Sequence, residues 1–269
     1  SVAEGRPDIV LFFTGPHHAG ENLLSLLESR LQELPPPMQM CDALSRNMPK
    51  DLCVLLGNCL AHGRRNFVDV VECFPAEVRY VLECLKKVYK TDAEAKKQQL
   101  SADERLRLHQ QQSGPVMEQL QGWLKVQLDE KRVEPNSSLG DAISFMLKHW
   151  EELTLFLRVP GAPLDNNVCE RALKMAIRHR KNSLFYKTQR GARVGDLYMS
   201  LIHTCYSSGA SPVDYLTELQ RNHERVRAAP GDWMPWNYRE QLIATKSEPD
   251  RGRGPPCAVA STDARRPCD

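Results

Sequence analysis

The sequence predicts an α/β protein whose sheet-forming part is interrupted by a long helical segment. Over the first 62 residues, short apolar runs alternate with helical periodicity, an order typical of an α/β sheet. From residue 66 to about residue 159 the pattern is almost entirely helical. Further helical patterns follow Pro160 and Pro163, where the long segment closes.

The first part of the chain contains three strand candidates. The run DIVLFFT at 8–14 is short, apolar and bounded by turn residues, as in a buried strand. Leucines at helical spacing predict a helix over 19–34. The runs MQMCD at 38–42 and VLLGNCLAH at 54–62 are the second and third strand candidates.

The remaining patterns divide the chain further. Ser101 and Glu104 stand three residues apart before a helical pattern, the signature of a capping box. Ser211, followed by Pro212, predicts the start of a last amphipathic helix. We expect four parts: the first part of the core at 1–66, a helical insertion at 67–160, the C-terminal part of the core at 161–245 and a disordered tail at 246–269.

Composition excludes several classes of protein. Hydrophobic residues make up 41% and charged residues 26%, which is ordinary for a globular chain. No apolar run approaches the roughly 18 residues that a membrane span needs, and the start lacks the features of a signal peptide. The nine cysteines are odd in number and scattered, which favours reduced thiols. We therefore expect a cytoplasmic protein without a membrane partner.

Positive charge is concentrated although the formal net charge is only +2. Between Glu170 and Arg193 there are eight basic residues and one acidic residue. Arg171, Lys174 and Arg178 share one helical face, and no acidic residue stands at the spacings that would neutralise them. Two interpretations remain open, a solvated helix face and a phosphate-binding face.

Two carboxylates stand at positions with both a structural and a chemical interpretation. If Asn167 is the N-cap of the helix that follows, Glu170 falls at N3, where it can complete a capping box. Asp42 ends a strand candidate, where ligands of α/β sheets bind, but it could equally cap a following helix. Local pattern does not separate capping from metal binding at either residue.

Cys59-x-x-His62 has the spacing of a pair of zinc ligands. A structural zinc site needs four ligands, and no second Cys/His pair is spaced to match. We therefore expect His62 to form a small basic surface with Arg64 and Arg65, and not a zinc site.

Taken together, the motifs of the second half are more specific than any of them alone. The stretch PLDNNVCERALKMAIRHRKNSLFYKT carries an Asp-Asn-Asn-x-x-Glu-Arg-Ala core followed by an Arg-Lys-Asn-x-Leu-Phe block. A Ser-Leu-Ile-x-Thr helix and a Pro-x-x-Tyr-Leu end follow in order, and CDALSRN and CLAHGRRNF stand upstream. Over about residues 8 to 240 the chain resembles bacterial transposases of the insertion-sequence-66 family.

The resemblance implies a ribonuclease-H-like fold, with a mixed sheet that is incomplete here and a large all-helical insertion. It also implies a DDE active site, in which three carboxylates hold two divalent cations about 3.5–4 Å apart. Asp42 would be the second carboxylate and Glu170 the third, both catalytic and both metal ligands. Oxygen ligands suit Mg²⁺ or Mn²⁺. The 127 residues between them hold the insertion.

A transposase implies double-stranded DNA as partner, both transposon ends and target, and a bacterial, nucleoid-associated location. A homo-oligomer or an intact transposase would be a further partner. The residues expected to contact DNA are Arg64, Arg65, Arg171, Lys174, Arg178, Arg180 and Lys181.

The sequence departs from the family at both ends. We find no first carboxylate, because Glu4 and Asp8 precede the first strand candidate and do not end a buried strand. We expect the chain to begin inside the fold and its tail to be frame-shifted. Strand transfer should therefore be impaired. The alternatives are a catalytically inactive DNA-binding remnant and a helical scaffold in which Glu170 is only a cap.

Overall fold

The computed structural model describes residues 8–15, 23, 26–28, 34–43, 53–183 and 186–247. Within these ranges the chain is mostly helical, with two short parallel strands. It divides into two compact units, residues 1–204 and residues 205–269. The predicted α/β class is therefore confirmed only in part, because the described residues form a small two-stranded sheet among many helices. Of the predicted helix at 19–34, residues 23 and 26–28 are helical and most of the rest lies outside the described residues.

The sheet consists of strands β1 (Met38–Cys41) and β2 (Leu55–Asn58), which run parallel. Met38 pairs with Leu55, and Cys41 pairs with Asn58 at the other end of the ladder. The Cys41 thiol also donates a hydrogen bond to Asn58 Oδ1, 3.2 Å away. Because the strands are parallel, their carboxyl ends lie at the same edge, and the strand predicted at 38–42 is confirmed.

The strand predicted at 54–62 is wrong in its second half. Strand β2 ends at Asn58, and Cys59 is the N-cap of helix α1 (Leu60–Val68). Leu60, Gly63 and Phe67 are buried on one face of α1, at helical spacing. A short apolar run cannot be assigned to strand or helix by periodicity alone, which explains the difference.

Five helices follow α1 before the chain reaches residue 154. They are α2 (Pro75–Lys97), α3 (Ala102–Gln112), α4 (Gly114–Asp129), α5 (Ser138–Lys148) and α6 (Trp150–Leu153), and a 3₁₀ turn at Leu155–Leu157 ends the series. Helices α2, α4, α5 and α6 contribute apolar residues to one core with α1, which includes Leu60, Phe67, Val81, Leu85, Leu120, Leu124, Ile143 and Met146. The helical pattern between residues 67 and 160 is thus observed as helices.

The sheet rests directly on this helical core. A Cβ atom added to Gly57 of β2 would lie 3.1 Å from Met40 Cε and 3.3 Å from Leu155 Cδ2. A Cβ added to Gly63 of α1 would lie 3.4 Å from Met146 Cε. The two glycines allow the sheet and α1 to approach the core closely. Packing on the core therefore sets the position of the sheet edge at which α1 begins.

The predicted capping box at the start of α3 is confirmed. The Glu104 amide donates to Ser101 Oγ at 3.4 Å, and the Ser101 amide donates to Glu104 Oε2 at 2.9 Å. We expect Ser101→Ala to lower the free energy of unfolding by about 1 kcal/mol, because the Glu104 amide loses the Ser101 hydroxyl that accepts its hydrogen bond. Urea denaturation measures this. Gln111→Ala, an exposed residue of the same helix, should change it much less, and equal effects would contradict a capping role.

Two longer helices follow, α7 (Asn167–Ser183) and α8 (Gln189–Ser207). The second unit contains α9 (Pro212–Arg221), α10 (His223–Ala228), a 3₁₀ turn at Pro230–Trp233 and α11 (Tyr238–Ser247). Ser211 caps α9 as predicted, accepting the Asp214 amide. Buried Tyr215 donates its hydroxyl hydrogen bond to the Trp233 carbonyl at 2.8 Å. Among the described helices, none combines the length and apolar character that a membrane crossing requires.

The strand predicted at 8–14 is wrong, because this segment pairs with side chains of α8 and not with another strand. Alternate amides of the segment donate to helix side chains one turn apart: Val10 to Thr204 Oγ1 at 3.1 Å, Phe12 to Ser200 Oγ at 2.9 Å and Thr14 to Asp196 Oδ2 at 2.6 Å. Two residues of an extended chain rise about 6.6 Å, and four residues of a helix rise about 6 Å. The spacing of alternate amides along the segment therefore matches the spacing of the side chains along α8.

Candidate metal and nucleic-acid site

The carboxyl edge of the sheet brings two candidate residues together. Asp42 directly follows β1, and Cys59 directly follows β2. The Cys59 amide donates to the Cys41 carbonyl at 2.8 Å, which continues the ladder by one step. Asp42 and Cys59 are therefore neighbours across the ladder, at the edge where α/β sheets place their ligands.

Backbone contacts hold the start of α7 against the start of α1. The Leu60 amide donates to the Leu164 carbonyl at 2.9 Å, immediately before α7. Asp165 then accepts the Asn167 amide at 3.2 Å, and the Asn166 carbonyl accepts the Glu170 amide at 3.0 Å. These bonds fix where α7 begins and bring its first turn beside the sheet edge.

The capping interpretation of Glu170 is wrong. Helix α7 begins at Asn167, so Glu170 lies one position beyond the place that a capping box requires. Its carboxylate makes no hydrogen bond to a backbone amide in the described part of the chain. Glu170 Oε1 instead lies 3.6 Å from His62 Nδ1, which is longer than a hydrogen bond.

Cys59, His62 and Glu170 form a compact cluster. One ligand atom from each residue (Sγ, Nδ1 and a carboxylate oxygen) lies within 4.8 Å of the other two. Cys59 is buried, while His62 and Glu170 are partly exposed. Sequence spacing around Cys59-x-x-His62 gives no sign of this third ligand, because the carboxylate comes from a distant helix.

Opposing effects act on the Cys59 thiol. Burial raises the pKa of Cys59, and the charge of Asp165 raises it further. The backbone amides of Asn166, His62 and Ala61 act in the opposite direction, because their N–H groups favour the thiolate. Burial is the largest effect, so the pKa of this thiol lies above its ordinary value.

Two buried polar atoms next to this cluster lack a hydrogen-bond partner within the described residues. They are His62 Nδ1 and Asn166 Oδ1. The backbone amide of the same Asn166 faces the Cys59 thiol. Buried polar atoms are rarely left unpaired, so each such atom in a structure needs an explanation.

Basic residues line one face of α7 beside Glu170. Arg171, Lys174, Arg178 and Lys181 are exposed, and their spacings of three, four and three place them on one side of the helix. Helical geometry puts Glu170 at the border of this face, which we call the basic face. Arg180 belongs to the same helix, but its side chain is outside the described set.

The cations of the basic face have no acidic partners among the residues that the structure describes. Within the described ranges, none of its four residues forms an ion pair with a carboxylate. The same holds for Arg64 and Arg65, which are exposed on α1. The carboxylates that are paired in this part of the protein, such as Asp92 and Glu151, are used by other basic residues. Repulsion among the cations of such a face is lowest when an anionic partner binds to it.

Comparison with known proteins identifies the family. Residues 2–194 match the family described as Transposase IS66 family. The chain belongs to this transposase family. The resemblance inferred from the Asp-Asn-Asn-x-x-Glu-Arg-Ala core and its neighbouring blocks is thereby confirmed.

The chain is also similar to three proteins of Sinorhizobium fredii that are named as uncharacterized. It is 34% identical to y4jD over 196 residues, which is 70% of this chain and 37% of that protein. It is 29% identical to y4hP over 199 residues and 28% identical to y4qI over 200 residues. The chain thus spans little more than a third of the length of these curated relatives. No solved structure matches it.

The fold places the predicted site residues in two groups. Glu170 lies beside His62 at the start of α1, whereas Asp42 directly follows β1 at the carboxyl edge of the sheet and is not part of the cluster of Cys59, His62 and Glu170. The basic residues with described side chains are exposed on α7 and α1. A metal ion shared by Asp42 and Glu170 stays a prediction.

Proposed function

We propose that this chain is the DNA-processing part of a transposase, which binds double-stranded DNA along α7 and contributes Asp42 and Glu170 to metal-dependent strand cleavage and transfer. One observation carries the proposal: Glu170 stands at the border of the unpaired basic face and at the carboxyl edge of the sheet. A phosphate bound on that face lies within reach of this carboxylate.

The two carboxylates fit the metals expected for such a reaction. Mg²⁺ and Mn²⁺ are bound by one or two carboxylates together with water and substrate phosphates, and Asp42 and Glu170 would supply two carboxylates here. When bound, the metals would activate the attacking oxygen and stabilise the leaving oxygen of an in-line displacement. The ribonuclease-H-like arrangement of the complete sheet belongs to this proposal as well.

The residues of this chain have separate roles. Arg171, Lys174 and Arg178 neutralise phosphates and set the position of the duplex on α7. Asp42 and Glu170 orient the cations at the sheet edge. Since two carboxylates are assigned where a DDE site has three, we expect little or no strand transfer by this chain alone.

Manganese binding tests the role of the carboxylates independently of cleavage. We expect Asp42→Asn and Glu170→Gln each to weaken Mn²⁺ binding at least about tenfold in the presence of DNA, because each removes an anionic ligand. Electron paramagnetic resonance of free Mn²⁺ measures the affinity. Asp103→Asn, at an exposed position of α3, is the matched control and should bind Mn²⁺ like the unmodified chain.

One result would contradict the metal site, and another would contradict only the expected impairment. Equal Mn²⁺ affinity in all four proteins would remove Asp42 and Glu170 from the site. Mn²⁺-dependent nicking of supercoiled plasmid that is lost in Glu170→Gln would show that the chain is active by itself, against the expected impairment.

A catalytically inactive DNA-binding remnant is the second candidate function. The absence of acidic partners for the basic face, within the described residues, favours it as strongly as it favours the first candidate. It predicts salt-dependent DNA binding without Mn²⁺ binding at Asp42 and Glu170. The manganese measurement therefore separates the two candidates.

A further inference from the structure

The cluster of Cys59, His62 and Glu170 offers a sulfur, a nitrogen and an oxygen donor at one point. This set differs from the all-oxygen environment that Mg²⁺ prefers. Thiolate, imidazole and carboxylate are together the ligands of zinc sites, and three protein ligands with one open position are typical of zinc centres that exchange a ligand.

The geometry of the cluster is close to that of a bound ion. Zinc bonds of about 2.0–2.3 Å in a tetrahedral arrangement place ligand atoms about 3.4–3.6 Å apart. His62 Nδ1 and Glu170 Oε1 are already 3.6 Å apart. All three ligand atoms lie within 4.8 Å of one another, so binding of an ion requires at most about 1.4 Å of contraction to reach these separations.

The surroundings favour a cation as well. The Cys59 thiolate and the Glu170 carboxylate together balance a charge of +2, and Asp165 adds a further negative charge near the sulfur. Buried His62 Nδ1 has no hydrogen-bond partner in the described part of the protein, although a ligand atom of Cys59 and one of Glu170 each lie within 4.8 Å of the ring nitrogen that His62 contributes. An ion at this point would give that atom its missing partner.

We propose that Cys59, His62 and Glu170 bind one Zn²⁺ ion, with water or a phosphate oxygen in the fourth position. The three residues come from the N-cap and first turn of α1 and from the first turn of α7, so the ion links the two helix starts. Because the ion binds all three residues, it also holds the Glu170 carboxylate next to His62 and Cys59. Zn²⁺ and Mn²⁺ therefore compete for Glu170.

Cobalt substitution tests the site directly. The chain, reduced and freed of metal, is titrated with Co²⁺ and then with Zn²⁺. We expect one equivalent of Co²⁺ with thiolate-to-cobalt charge-transfer absorption, displaced by one equivalent of Zn²⁺. Cys59→Ser should abolish the charge-transfer absorption, and His62→Ala and Glu170→Gln should each weaken Co²⁺ binding at least about tenfold.

Matched controls exclude the other thiols and general loss of structure. Cys73→Ser, at an exposed position after α1, should leave the spectrum and the affinity unchanged. Serine is itself a favourable N-cap residue, so Cys59→Ser should keep the fold. Should circular dichroism show that this variant is unfolded, His62→Ala, at a partly exposed position, decides the question.

The proposal is overturned if Co²⁺ binds without charge-transfer absorption, or if His62→Ala binds Co²⁺ as tightly as the unmodified chain. Its test does not depend on the manganese site proposed above. Asp42→Asn should change Mn²⁺ binding alone, while Cys59→Ser should change Co²⁺ and Zn²⁺ binding alone. In the unmodified chain one equivalent of Zn²⁺ should lower the Mn²⁺ affinity, and in Cys59→Ser it should not.

Discussion

Replacing Arg171, Lys174 and Arg178 together with alanine should weaken binding to double-stranded DNA by about 10²–10³-fold at 0.1 M salt. Each phosphate contact contributes about 0.9 to the slope of log K against log salt concentration, because it releases condensed counterions. Three contacts therefore lower the slope by about 2.7. The three side chains are exposed on one face of α7 and have no acidic partners among the described residues, so their charge is available to DNA.

Fluorescence anisotropy with a labelled duplex, repeated at several salt concentrations, measures both the affinity and the slope. The matched control removes the same charge elsewhere: Lys86, Lys87 and Lys90 are exposed on α2 and are likewise replaced with alanine. A general effect of net charge would weaken binding in both variants alike. That result would assign DNA binding to overall charge and would contradict a specific role for α7.

Replacing Asp92 with asparagine should lower the free energy of unfolding by about 3–5 kcal/mol, because it removes the buried carboxylate that pairs with the partly buried Arg105 and with Lys96. Asp92 lies on α2 with only 4% of its surface exposed. Arg105 approaches its Oδ1 with two nitrogens at 2.7 and 2.9 Å, and Lys96 approaches its Oδ2 at 2.7 Å. His109 Nε2 lies 3.4 Å from Oδ1.

The same contacts make stability depend on pH. Burial alone would raise the pKa of Asp92, but hydrogen bonds from His109 and Lys96 and the charge of Arg105 outweigh it and hold the pKa well below its ordinary value. Since the unfolded carboxyl titrates near about 3.9, the ionised group stabilises the fold above that pH. This stabilisation is lost as the pH falls from about 4 through the pKa of the folded state.

Denaturation of the unmodified chain and of Asp92→Asn at pH 7 and pH 3 measures both effects. The difference between the two proteins should be largest at pH 7 and should shrink at pH 3. Asp103→Asn, an exposed residue on the neighbouring helix, provides the control and should lie within about 0.5 kcal/mol of the unmodified chain. A loss of similar size in both variants would contradict the importance of the buried network.

Asp92, His109 and Ser113 resemble a catalytic triad in their hydrogen bonds but not in their environment. His109 Nδ1 lies 3.0 Å from Ser113 Oγ, and its other nitrogen faces Asp92. Ser113 and His109 are each only 1% exposed. Because both side chains are buried, this network stabilises the junction of α2, α3 and α4.

Local patterns correctly predicted those features that depend on neighbours in the sequence. The capping box of Ser101 and Glu104, the N-cap of Ser211 and the strand at Met38–Cys41 are all present. The exposed, unpaired basic face of α7 also follows from residue spacing. In each case the deciding contacts lie within about one helical turn or one strand.

Predictions failed where the deciding partner is far away in the chain. The run at 8–14 is apolar enough for a strand, yet the partners of its amides are Thr204, Ser200 and Asp196 on α8, more than 180 residues away. Of the two interpretations of Glu170, the capping box required Asn167 to be the N-cap. The helix begins at Asn167 itself, and contacts with α1 precede it, so Glu170 lies outside the capping position.

Sequence motifs alone indicate the family and the helical character of the middle of the chain, and they supply the two carboxylates and the basic residues proposed to act on DNA. Which groups meet at the sheet edge depends on contacts between distant parts of the chain. Cys59-x-x-His62 was incomplete as a metal site until α7 brought Glu170 to within 3.6 Å of His62. Periodicity in the sequence shows which face of a helix or strand a residue occupies. A metal site needs several ligands at one point, and these come together only when distant helices pack on the same core.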